Sequence, residues 1–142
     1  MAVMSSLDRA RAVLKEVFGF EDFLDGQEVV IGDILSGQDG SVVMPTGGGK
    51  SLCYQLPALC REGVTLVVSP LIALMKDQVE QMRASGVSAV MLNSSLSPQE
   101  YQQNMNAVQD GSAKLLYLAP ETLFTQRVFS LLSQVRLALL TI

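Results

Sequence analysis

Between residues 41 and 60 a short apolar run, Ser41-Val42-Val43-Met44, passes through Pro45-Thr46-Gly47-Gly48-Gly49-Lys50-Ser51. The chain then enters a segment in which Leu52, Leu56, Leu59 and Cys60 repeat at helical spacing. A buried strand, a glycine-rich turn and a helix in that order form the context in which a phosphate-binding loop works. Successive backbone N–H groups turn inward as a nest for anions, and the helix N-terminus adds unsatisfied donors and the positive end of its dipole. After Thr46, the residues Gly47, Gly48 and Gly49 allow positive φ and close backbone approach, where a side chain would block a phosphate. Lys50 is placed to reach the β- and γ-phosphates and the Ser51 hydroxyl to ligate Mg2+, which makes these two the candidate catalytic residues. Met44 stands where the simple G-x-x-x-x-G-K-[ST] pattern has its first glycine, a departure that points to a subfamily of such loops. The competing reading is a flexible glycine-rich turn with a chance Lys-Ser; the flanking strand and helix favour the phosphate loop.

The 142 residues suffice for one domain or part of one, and with 49% apolar residues there is ample material for a core. The formal charge of −4 is unevenly placed: residues 1–39 carry eight acids against three bases, and the remainder is nearly balanced. No basic patch advertises nucleic-acid binding, although a narrow groove lined by backbone amides and hydroxyls needs none. There is no histidine, which removes His-based acid–base chemistry and His metal ligation. Cys53 and Cys60 lie seven apart on the helix after the loop and read as buried thiols of a reducing compartment. With no leader-like or membrane-length apolar stretch, the reading is a cytoplasmic chain without membrane contact.

Apolar spacing predicts a helix from a Ser5/Asp8 capping box to Gly19 and a second from Gly26-Gln27 to Gly37. Asp39-Gly40 turns the chain into the loop strand. Downstream, strands are predicted at Val64–Val68, Val87–Leu92, Leu115–Leu118 and Leu137–Ile142. The helices between them run through the stripe Leu71, Leu74, Met75, Val79 and Met82, read as core; from the Ser97-Pro98-Gln99-Glu100 start; and over Glu121–Leu132. Lys76 reads as a solvated helix charge. Alternating strands and helices mean an α/β fold with a parallel sheet, whose ligands bind at the carboxyl ends of strands. Pro45–Ser51, Ser69-Pro70, Asn93-Ser94 and Ala119-Pro120-Glu121 all fall there.

Met44-Pro-Thr-Gly-Gly-Gly-Lys-Ser-Leu-Cys-Tyr-Gln-Leu-Pro57 is very similar to the nucleotide loop of RecQ-type DNA helicases. Ser69-Pro-Leu-Ile-Ala-Leu-Met-Lys-Asp-Gln-Val79 resembles their next motif, Leu116-Tyr-Leu-Ala-Pro-Glu121 the following one, and Phe18-Gly-Phe-Glu-Asp-Phe23 with Gly26-Gln27 the motif that reads adenine. The match runs from about residue 18 onward, and four ordered motifs make it specific. It implies a P-loop, RecA-like lobe, incomplete at its C-terminal end, with residues 1–39 as a helical lead-in and 40–142 as the core. It also implies ATP and Mg2+ as cofactors and, in a full-length parent, single-stranded or forked DNA unwound 3′→5′ during repair and recombination.

Carried over by position, Gln27 matches the residue that hydrogen-bonds the adenine edge and Phe20 the ring that stacks on it. Ser69, Pro70, Asn93, Ser94, Pro120 and Glu121 become candidate DNA contacts, with Glu121 equally readable as a helix-start charge. Without its motif, Gln27 would read as a solvated helix-start residue. Leu24 stands where the family has an adenine-facing arginine, Asp25 where it has a proline, and Thr122 where an arginine follows Pro-Glu. In the family, Asp-Glu-Ala-His follows the strand matching Leu137–Ile142 at once, holding the Mg2+ shell and orienting water. These 142 residues lack it, and the polypeptide by itself is expected not to hydrolyse ATP. Two rivals stay open: another P-loop NTPase such as a small-molecule kinase, and a stand-alone nucleotide-binding or interaction module.

Overall fold

A computed structural model of the chain describes residues 6–24, 26–37 and 51–141. Ser5, Asp25, Asp39-Gly40, the expected strand Ser41–Met44 and the loop residues Thr46 to Lys50 lie outside the described residues. The chain divides into two compact units, Met1–Arg61 and Glu62–Ile142.

In the first unit, α1 (Ser6–Glu16), α2 (Gln27–Leu35) and α3 (Leu52–Cys60) pack on one another. Their helical apolar spacing turns Ala10, Leu14, Ile31, Leu52 and Leu56 to a common core, with Val13, Phe18, Phe23, Leu35 and Cys60 packed around it. The turn after α1 is closed by Gly19 at φ +75. The N–H groups of Gly19 and Phe20 return to the carbonyls of Lys15 and Leu14, which satisfies carbonyls that a helix end leaves orphaned. Arg61, just past α3, donates to the Ile34 carbonyl and ties the ends of α2 and α3 together.

The second unit follows the order β1 (Val64–Val68), α4 (Ile72–Ala84), β2 (Ala89–Leu92), α5 (Pro98–Gln109), β3 (Leu115–Leu118), α6 (Pro120–Leu123), α7 (Gln126–Ser133), β4 (Leu137–Thr141). The strands form one parallel sheet in the order β2-β3-β1-β4, so the expected α/β architecture is present. β1 and β3 are buried along their whole length, as their unbroken apolar runs require of strands covered on both faces. Val64, Leu66 and Val68 of β1, Val90 and Leu92 of β2, and Leu116 and Leu118 of β3 share one cluster with Met105 and Val108 of α5 and Val128 and Leu131 of α7. Helix α4 packs on β2 and β3 through Met75, Val79 and Met82, none of which joins that cluster; it covers the other face.

Three expectations need correction. The single helix expected over 121–132 is two, because the Thr125 hydroxyl donates to the Thr122 carbonyl and accepts the Val128 N–H, ending α6 and capping α7 in one residue. β2 starts at Ala89 rather than Val87, since the Val87 N–H is still bonded to the Met82 carbonyl at the end of α4. The α4 stripe is core only from Met75 onward: Leu71 and Leu74, at its first turn, are exposed. The Ser97 start of α5 is as expected, its hydroxyl accepting the Glu100 N–H at 3.1 Å.

Candidate functional site

In the first unit, the segment between α1 and α2 is built by reciprocal bonds. The Leu24 N–H donates to Gln27 Oε1 at 2.7 Å, and the Gln27 N–H returns to the Leu24 carbonyl at 3.1 Å. Gly26, at φ +85, makes this tight entry to α2 possible. Gln27 is buried, at odds with the reading of it as a solvated helix-start residue. Phe20 and Leu24, in the same segment, are each 55% exposed. Arg11 of α1 pairs with Glu28 of α2 and lies over the Phe23 ring at 5.9 Å, which fixes this segment against both helices. The sequence reading passed over Arg11; a base one helix away from an aromatic segment is too common a pattern to signal a clamp.

Helix α3 opens at Leu52, with Ser51 in the N-cap position. The Tyr54 and Gln55 N–H groups reach the Ser51 carbonyl, and the Ser51 hydroxyl makes no cap bond to α3. Thr46, Gly47, Gly48, Gly49 and Lys50 themselves lie outside the described residues. Burial pushes the Cys53 and Cys60 thiols up, with Arg9 opposing the shift at Cys60, so both stay protonated and inert at neutral pH. Among the described residues, no group of three or more Cys, Asp or Glu could hold a metal. No helix among them is long and apolar enough to cross a membrane.

In the second unit, the parallel sheet brings the candidate DNA contacts to the carboxyl ends of neighbouring strands. Ser69 follows β1, where its N–H extends the ladder to the Leu118 carbonyl and its hydroxyl accepts the Leu71 N–H. Pro70 beside it is exposed. After β2, Asn93 is buried: its Oδ1 accepts from the backbone and hydroxyl of Ser95, and its Nδ2 lies 3.8 Å from Met75 Sδ of α4. That leaves Ser94 as the exposed member of the pair. After β3, Pro120 and Glu121 form the first turn of α6, with Glu121 exposed. Thr122 is buried, so the position where the family has an arginine turns inward here.

Residues 25–140 match the family described as DEAD/DEAH box helicase. The chain is 53% identical over 133 residues to a Haemophilus influenzae protein named ATP-dependent DNA helicase RecQ, covering 94% of this chain and 22% of that protein. A Pasteurella multocida protein of the same name is 52% identical over 92% of this chain and 21% of its own length. A third, from Bacillus subtilis, is 42% identical over 96% of this chain and 23% of its own length. The chain thus spans under a quarter of the length of these relatives.

Proposed function

The chain belongs to the DEAD/DEAH box helicase family, and we propose that it is the N-terminal portion of the ATP-binding, RecA-like lobe of a RecQ-type DNA helicase. In this reading residues 1–39 are the adenine-reading lead-in and 40–142 the P-loop core. The parent protein couples ATP hydrolysis to 3′→5′ strand separation in repair and recombination, in the cytoplasm and on the nucleoid if bacterial. The observation that carries the reading is the similarity to proteins named ATP-dependent DNA helicase RecQ, which spans all four motifs.

The described geometry supports specific roles. Phe20 offers an exposed ring for stacking on adenine. Gln27, held by the Leu24 N–H, carries the amide that reads the adenine edge in this reading. Leu24 supplies an apolar face where the family has a guanidinium, and its exposure argues against a core role for this side chain. By their place in the sequence motif, Thr46, Gly47, Gly48 and Gly49 would cradle the phosphates of a bound nucleotide, Lys50 would neutralise them and Ser51 would ligate Mg2+. Bound Mg-ATP supplies the phosphoryl bond whose cleavage drives the parent machine. Ser69, Pro70, Ser94, Pro120 and Glu121 line the strand-end rim on which single-stranded or forked DNA runs, with Asn93 setting the shape of the loop after β2.

A fluorescent ATP analogue titrated against the 142-residue chain and its Lys50→Ala variant tests the nucleotide reading. The expected result is binding that Lys50→Ala weakens at least tenfold, a loss of about 1.4 kcal/mol or more, without phosphate release from either protein. Equal affinities would sink the proposal. Phosphate release that disappears in Lys50→Ala would instead show that these residues need no acidic motif for turnover.

A further inference from the structure

Beside the strand-end rim, two helices of the second unit meet through an arginine. The Arg127 guanidinium, in the first turn of α7, lies 5.1 Å from the centroid of the Tyr101 ring in the first turn of α5. Arg127 Nη2 also donates to Gln102 Oε1. Among the described residues no carboxylate is within ion-pair distance of Arg127. Three residues earlier, Phe124 is 79% exposed, the most exposed of the large apolar side chains described.

A surface arginine ordinarily sweeps many rotamers, whereas one stacked on a ring and bonded at one nitrogen holds its planar fork in a fixed direction. Such a fork, without a carboxylate partner, matches a phosphate oxygen pair. A ring as exposed as Phe124 offers a face to a base, and base–aromatic stacking tolerates any sequence. Position adds to chemistry. α5 begins shortly after the carboxyl end of β2, and α6 and α7 follow the carboxyl end of β3, so Tyr101 follows Ser94 in the chain, and Phe124 and Arg127 follow Glu121, beyond those strand ends. We propose that Arg127, Tyr101 and Phe124 form an additional subsite for single-stranded nucleic acid, Arg127 gripping a phosphate and Phe124 stacking a base. Glu100 and Glu121, in the first turns of α5 and α6, keep its contribution modest and sensitive to salt. This inference rests on the DNA reading above.

The test is fluorescence anisotropy of a dye-labelled oligothymidylate titrated with the 142-residue chain at low salt. Arg127→Ala is expected to weaken binding about five- to tenfold and to flatten the log-affinity against log-salt slope by about one. Arg127→Lys, which keeps the charge but loses the stacked fork, should fall between. Phe124→Ser should weaken binding severalfold without changing the slope. Arg136→Ala is the control: it removes the same charge just ahead of β4, at the amino ends of the strands. Oligonucleotide binding that Arg127→Ala and Phe124→Ser leave intact, or that Arg136→Ala weakens equally, overturns the subsite while the DNA reading stands. No binding by the parent chain overturns the DNA reading and the subsite with it. Variants that alter self-association but not oligonucleotide affinity would make this a protein contact and overturn the proposal. Should Arg127→Ala lower the melting temperature, Phe124→Ser decides alone, because so exposed a ring contributes little to folding.

Discussion

The two edges of the sheet are finished in different ways. On β2, the outward-facing carbonyls of Ala89 and Met91 are taken up by side chains of the flanking helices, Arg83 Nε of α4 at 3.0 Å and Asn104 Nδ2 of α5 at 2.8 Å. A strand edge dressed this way offers no carbonyl ladder to another chain. On β4 no such side-chain bond occurs among the described residues, and Leu137 and Leu140 stand 45% and 56% exposed. β4 joins the sheet through a register irregularity at Val64/Thr65 and, among the described residues, pairs with β1 alone. One edge is closed by its own helices; the other carries no such side-chain cover among the described residues. This second edge belongs to the strand after which the RecQ-type resemblance puts the acidic motif.

The comparison is broken most forcefully at Gly63. This residue sits at φ +102, and a Cβ there would lie 2.5 Å from the Arg136 carbonyl oxygen. That same oxygen accepts the Val64 N–H at 2.9 Å, the first bond between β1 and β4. Gly63→Ala should cost roughly 3 kcal/mol, combining backbone strain with the displaced carbonyl. Gly86, at φ +83 with nothing near its would-be Cβ, isolates the strain alone; Gly86→Ala should cost about 1 kcal/mol. Urea unfolding of both variants measures the difference. Equal costs would mean that β4 is not anchored at this carbonyl, and the contrast between edges would lose its structural basis.

Much of this fold was legible because β1 and β3 are continuous apolar runs and α5 carries a complete start signal in Ser97-Pro98-Gln99-Glu100. The break at Thr125 was not legible: a threonine inside an apolar helical pattern looks like any other polar-face residue until its hydroxyl is seen to serve two helices. In the candidate site, the positions of Ser69, Pro70, Ser94, Pro120 and Glu121 followed from strand ends alone. The burial of Asn93 did not, since whether an asparagine faces solvent or braces its own turn depends on Met75 and Ser95 arriving beside it. The same holds for Gln27, whose inward turn depends on the Gly26 conformation and on the Leu24 amide.

Asn104 tests the closed edge. Asn104→Ala removes the donor to the Met91 carbonyl, a half-buried contact, and should lower stability by about 1 kcal/mol. It should also let the chain associate with rising concentration, because the bared carbonyl can then pair with another strand. Urea midpoints and light scattering read the two effects. Lost stability without new association would show that Asn104 holds α5 to the sheet but does not guard the edge.

The smallest expected effect on stability is at the other edge, and it sharpens the comparison most. Leu140→Lys places a charge on β4 at a position already more than half exposed, where the lysine stem can lie along the surface and its ammonium reach water. Stability should therefore change by no more than about 0.5 kcal/mol. Association of the 142-residue chain should fall clearly, since a lysine on an edge strand opposes docking of a second strand or sheet. Exposed apolar surface in general could drive association as well, and Phe129→Lys controls for that. Phe129 is 67% exposed but lies on helix α7 rather than on a strand. Sedimentation velocity over a concentration series compares the two variants with the parent. If β4 is the receiving edge, Leu140→Lys shifts the chain toward monomer and Phe129→Lys does little. Equal shifts would mean that apolar area matters and the strand edge does not, and the distinction between β2 and β4 would then carry no consequence for assembly.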